Sequence, residues 1–134
     1  MPTNIQAAAP SRMVWAGWVL SALAVLFMLF DAVIKLMVIE PVRQSMGELG
    51  YPLNLAIVIA IVELIATALY VFPRTAVLGA ILLTGVYGGA IASHLRIGSP
   101  LFSHVLFGLY LGLFVWGGAY LRDEKLRAVF PWRR

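Results

Sequence analysis

The sequence predicts an all-α membrane protein: a polytopic four-transmembrane-helix bundle with both termini cytoplasmic and a short interfacial helix in the first outer loop. Three observations carry that reading. Hydrophobic residues fill 62% of the 134 positions and charged residues only 12%, where a soluble domain is about half apolar and about a quarter charged. The apolar excess is gathered into four runs, each near the roughly 20 residues that a helix needs to cross a bilayer. Those runs raise the mean hydropathy to +0.93.

The first span extends from about Val14 to Val38 and holds Asp31 and Lys35. Arg12 before it and the Ser21–Ala24 stretch within it resemble the start and cleavage box of a secretory signal. The apolar run continues well past that box, so it reads as a membrane helix. Residues 1–13 read as a disordered tail ahead of a membrane domain over 14–121. In the first loop Pro41 can open a short helix and Gly50 close it, with Val42, Met46 and Leu49 on one face. Such a helix would lie on the membrane surface.

The second span, about 52–72, carries Glu63. Pro73 and Arg74 leave so short a turn that the third span, about 75–95, must run antiparallel beside it. Ile97 to Pro100 make the same kind of turn into the fourth span, about 101–121. Residues 122–134 form a basic cytoplasmic tail. Arg12, Arg74, Arg122, Lys125, Arg127, Arg133 and Arg134 fall on one side of the bundle, and only Arg43 and Arg96 on the other. The excess of Lys and Arg on cytoplasmic loops therefore places both termini inside. Trp15, Trp18, Trp116 and Tyr120 near the inner ends and Tyr51 near the outer end agree with interfacial aromatic belts.

Several function classes drop out. The net charge of +4 does not point to nucleic acid, because half of the ten basic residues crowd into 122–134 beside a membrane helix. There is no cysteine, which removes disulfide, thiolate and iron–sulfur chemistry. No phosphate-binding glycine loop, HExxH or nucleophile elbow occurs. No catalytic residue, metal site or resident cofactor is assigned.

The polar residues inside the spans are the informative ones, since each costs at least about 2.5 kcal/mol at mid-helix. Helical spacing gathers Gly17, Ser21, Ala24, Met28, Asp31 and Lys35 on one stripe of the first span, and Ala56, Ala60, Glu63, Thr67 and Tyr70 on one stripe of the second. The third offers Ala80, Thr84, Tyr87, Ile91 and His94, and the fourth His104, Gly108, Leu111, Val115 and Gly118. These stripes should face the bundle interior. The Gly85–Gly89 and Gly108–Gly112 pairs should bring spans three and four together, or else serve a homodimer.

Depth collects Asp31, Lys35, Glu63, His94, Arg96 and His104 in the outer half, with Asp31 about 10 Å and Glu63 about 16 Å below the outer helix ends. Asp31 and Lys35 stand four apart with the acid first, the favourable order for an ion pair. Glu63 has no partner on its own helix and must meet Lys35, Arg96 or a hydroxyl, or remain protonated. His94 and His104 read as interfacial hydrogen-bonding groups or as ligands to a haem or metal. Arg96 reads as snorkelling to the headgroups.

Lys35 at the end of the first span, Leu49-Gly50-Tyr51-Pro52, and Phe72-Pro73-Arg74-Thr75 closing the Glu63 span resemble the DoxX-like family. The stretch from Thr75 to Phe102 is similar to that family's third-span signature, and the resemblance covers about Val14 to Tyr120. It implies four membrane helices and an association with redox or stress complexes, the name coming from a subunit linked to quinol oxidation. It carries over no catalytic motif. The expected function is a non-catalytic bacterial inner-membrane protein that binds a quinone-like or lipid-like molecule, or an accessory subunit of a redox complex. Asp31, Lys35, Glu63, Tyr87, His94 and His104 form the candidate ligand site. The alternatives are a proton-coupled or solute transporter and a structural assembly partner.

Overall fold

The computed structural model describes residues 11–132. The disordered-tail reading of residues 1–10 lies outside them, and Ser11 to Met13 already belong to the first helix. The helices are α1 (Ser11–Met37), α2 (Glu40–Leu49), α3 (Asn54–Val71), α4 (Ala76–Arg96), α5 (Phe107–Arg122) and α6 (Glu124–Val129), with a π turn over Leu101–Val105 leading into α5. Four of these segments are long and apolar enough to cross a membrane: α1, α3, α4, and the π turn continued by α5.

The four spans close a ring in which α1 and α4 each pack against both α3 and α5. At one end of the ring, the base, α1 begins, α3 turns into α4, and α5 hands over to α6. The other end, the rim, carries α2 and the turn from α4 into α5. Aliphatic side chains such as Leu26, Ile65, Ile81 and Leu113 point outward and are more than half exposed, as lipid-facing positions require.

Lipid is as apolar as leucine, so close backbone approach rather than hydrophobic burial holds such helices together. Glycines make that approach possible. A Cβ on Gly118 of α5 would stand 2.3 Å from Ser21 Oγ on α1, one on Gly79 of α4 would stand 2.3 Å from the Tyr70 nitrogen on α3, and one on Gly108 would stand 2.9 Å from the Tyr87 carbonyl. Polar groups complete the joint. The buried Tyr70 hydroxyl donates to the Val115 carbonyl at 2.6 Å and shares a 2.9 Å hydrogen bond with Ser21 Oγ. Three helices thus meet at one phenol. Tyr70→Phe is expected to cost about 1–2 kcal/mol, because it removes both hydrogen bonds of a buried joint, to the Val115 carbonyl and to Ser21 Oγ; an unchanged thermal midpoint in detergent micelles would show the phenol to be idle.

The interior stripe of α3 is buried throughout, from Ala56 and Ala60 through Glu63 and Thr67 to Tyr70. That of α1 is buried from Gly17 to Met28 and half-buried at Asp31 and Lys35. The α4 stripe is turned from the expected phase: Gly79, Ala80, Leu83, Tyr87 and Ser93 face inward and Thr84 outward. Thr84 needs no interior partner, because its hydroxyl donates to the Ala80 carbonyl of its own helix at 2.7 Å and accepts from Trp116 Nε1 at 2.7 Å. Gly85 and Gly89 do not join α4 to α5 as the sequence led us to expect. A Cβ on either would meet nothing within 4 Å.

At the rim the chain leaves α1 through Val38, whose φ of 49° is a left-handed conformation that a β-branched residue adopts only under constraint. The short helix of the first loop forms with the ends as read: Pro41 stands in its first turn, Gly50 ends it at φ 78°, and Val42, Met46 and Leu49 are buried. At the base the segment read as a basic tail is structured beyond Arg122. Asp123 caps α6 by accepting from the Lys125 and Leu126 nitrogens. Arg127 donates to the Tyr120 and Leu121 carbonyls at the end of α5, and Phe130 stacks on Trp116 at 4.9 Å.

Candidate functional site

The side-by-side packing of α1 and α3 assembles the polar cluster. Lys35 Nζ lies 2.6 Å from Asp31 Oδ2, one turn back on its own helix, and 2.6 Å from Glu63 Oε1 on α3. Of the partners open to Glu63, the structure selects Lys35. Glu63 is only 2% exposed, whereas the Lys35 and Asp31 side chains are 22% and 24% exposed. One ammonium therefore serves two carboxylates. The second Glu63 oxygen, Oε2, is buried with no hydrogen-bond partner, and so is the Tyr87 hydroxyl from α4. A buried polar atom without a partner is costly, so such atoms mark where a group from outside the chain can bind.

Asp31, Lys35 and Glu63 sit at the floor of a cavity of about 490 Å³ between α3 and α4, whereas Tyr87 of the predicted site is not among its lining residues. Its walls are apolar or small: Leu55, Val58, Ile59 and Val62 on α3, and Gly85, Val86, Gly89 and Ala90 on α4. The open face of Gly85 and Gly89 is thereby accounted for, since the missing side chains are what make the gap. The packing of α2 covers the rim end through Met46 and Leu49. Two bonds tie that end to α4. The Tyr51 hydroxyl meets Ser93 Oγ at 2.5 Å, and Arg96 donates to the Leu49 carbonyl. Arg96 thus caps α2, which the snorkelling reading missed. With the rim covered, the exposed Val58, Val62, Gly85, Gly89 and Ala90 leave the cavity open sideways, toward the lipid-facing surface. Below the floor, Met28, Ala66, Tyr70, Leu83 and Val115 fill the bundle.

The two histidines stand apart from the triad. His94 lines the rim end of the cavity, with Nδ1 2.9 Å from Ser99 Oγ. His104 is exposed, bonded to Ser103 Oγ at 2.7 Å, and meets His94 edge to face at 5.5 Å. The π turn explains its position. The bonds from Val105 N to the Pro100 carbonyl and from Leu106 N to the Leu101 carbonyl span five residues, so the spacing of four from Gly108 does not return His104 to the inner face. Among the described residues no group of three or more His, Cys, Asp or Glu side chains is placed to hold a metal.

A second cavity, about 460 Å³ at the base, is lined by Arg74, Arg122, Asp123 and Lys125. Its Arg122 donates to the Tyr70 carbonyl at 3.0 Å and stacks on the Trp18 and Tyr70 rings, with Nε buried and without a partner. The rim cavity differs in placing ionisable groups inside the span, where each needs a reason.

A family model for the DoxX-like family matches residues 19–118. The chain belongs to the DoxX-like family. No curated protein and no solved structure matches the chain. For this DoxX-like chain the matched region runs from within α1 to near the end of α5, and so takes in the triad and both walls of the cavity. Sequence reasoning did not find Tyr51 and Ser93 as partners, nor Gly85 and Gly89 as cavity wall. Tyr51 carried the signal of a belt residue, and the glycines the signal of a packing motif. Only the placement of α2 over α4 separates these readings.

Proposed function

We propose that this DoxX-like protein is a non-catalytic membrane binder whose rim cavity takes an amphiphile, quinone-like or lipid-like, entering sideways from the bilayer between α3 and α4. The observation that carries the reading is the buried Glu63 carboxylate, with one oxygen unpartnered, at the floor of an apolar cavity that opens to the side. A volume of about 490 Å³ falls within the roughly 300–1,000 Å³ of small-molecule sites. The apolar walls suit the body of such a molecule, and the Asp31, Lys35 and Glu63 triad at the floor suits its polar head. The asymmetry of Lys and Arg supports an inner-membrane setting with the rim facing outward.

Gentle extraction followed by native mass spectrometry tests this on wild type and Gly85→Leu. A side chain at Gly85 meets no neighbour within 4 Å and lines the cavity, so leucine should fill the binding space and leave the fold intact. The expected result is a co-purifying amphiphile on wild type, reduced at least tenfold on the folded variant. Equal retention by both proteins would overturn the proposal. A second copy of the chain packing on the same glycines is the competing occupant. It would show as an amphiphile-free dimer that Gly85→Leu dissociates.

A further inference from the structure

We infer that the rim cavity selects amphiphiles whose head is cationic or donates hydrogen bonds, an alkyl ammonium above all, and discriminates against anionic heads. The inference rests on the cavity being a ligand site and adds the chemistry of the head. Ionised, Asp31, Glu63 and Lys35 leave one uncompensated negative charge in a region of low dielectric. Lys35 Nζ already lies 2.6 Å from each carboxylate, so two of its three donors are spent and little of its charge is free to attract an anion. What remains unpaired at the floor is a buried acceptor, Glu63 Oε2. The buried Tyr87 hydroxyl on α4, likewise without a partner, can accept or donate.

No other element facing the cavity supplies a positive charge. The α2 face contributes Ser45, Met46 and Leu49, and the α4 face Ser93 and His94. His94 is engaged by Ser99, and the Arg96 guanidinium is committed to the Leu49 carbonyl. An ammonium entering from the side would meet the free side of the Glu63 carboxylate, opposite Lys35. Cations and carboxylates would then alternate along the cluster and the net charge would fall to zero. A carboxylate head in the same place would add a second unpaired negative charge, and attraction or repulsion over such distances is large where water is excluded.

The test uses the purified full chain in nanodiscs of zwitterionic lipid, with alkyl ammonium, alcohol and carboxylate probes of one chain length. Binding to the site is the part of the signal that Gly85→Leu removes. Wild type should bind the ammonium at least tenfold more tightly than the carboxylate, with the alcohol between. Glu63→Gln, which keeps the shape and loses the charge, should weaken ammonium binding about tenfold and narrow the gap. Should that variant fail to fold, the wild-type ranking decides by itself. A carboxylate bound as well as the ammonium, or better, overturns the head selectivity and leaves the cavity standing. No probe binding that Gly85→Leu removes overturns the cavity reading itself.

Discussion

Lys35→Met is expected to destabilise the folded bundle by about 3–5 kcal/mol, the range for removing one partner of a buried ion pair. Methionine preserves most of the volume and the helix propensity, so the loss isolates the charge. In its absence Glu63, 2% exposed, and Asp31 face each other across α1 and α3 with no cation between them. The comparison that gives this meaning is the double variant Lys35→Met/Glu63→Gln, which removes the charge and its partner together. It should recover more than half of the loss, because the cost lies in the stranded carboxylate rather than in the missing bond. Reversible unfolding in mixed micelles measures both variants. If Lys35→Met proves no less stable than Glu63→Gln, the ammonium does not hold the cluster together, and the negative floor argued for ligand selection loses its basis.

Much of this architecture was legible because membrane solvation leaves a helix few choices. A span must be apolar on the outside and can be polar only within, so the α3 stripe from Ala56 to Tyr70 could be read from spacing alone. The ends of α2 were legible for a local reason: Pro41 and Gly50 are stereochemical signals that act without tertiary help. The pairing of Glu63 with Lys35 was not decidable in advance. Short turns fix α3 beside α4, and α4 beside α5, but only the crossing of α1 and α5 at Gly17, Ser21 and Gly118 closes the ring and sets the Lys35 face of α1 toward α3. His104 was misplaced because a π turn leaves no mark in composition and breaks the periodicity on which the facing argument depended. Thr84 was misplaced because a hydroxyl that bonds its own helix is polar in sequence and satisfied in structure.

The glycines of α4 supply the second large effect, and they divide in a way their spacing does not reveal. Gly79→Ala is expected to cost at least about 3 kcal/mol, at the upper end of overpacking penalties. Its new Cβ would stand 2.3 Å from the Tyr70 nitrogen, 2.6 Å from the Tyr70 Cα and 2.7 Å from the Ala66 carbonyl. All three atoms are backbone, so no rotamer change relieves them and α3 itself must move. Gly85→Ala and Gly89→Ala meet nothing within 4 Å and should instead stabilise the helix by up to about 1 kcal/mol, the usual gain from replacing a mid-helix glycine. Thermal unfolding of the three single variants in one detergent separates them. A loss of stability at Gly85 or Gly89 comparable to that at Gly79 would mean that these positions are packed against another copy of the chain. Two glycines whose replacement improves the helix, yet whose bareness keeps the gap between α3 and α4 open, would then stand there at a cost to folding, as the wall of the proposed cavity requires.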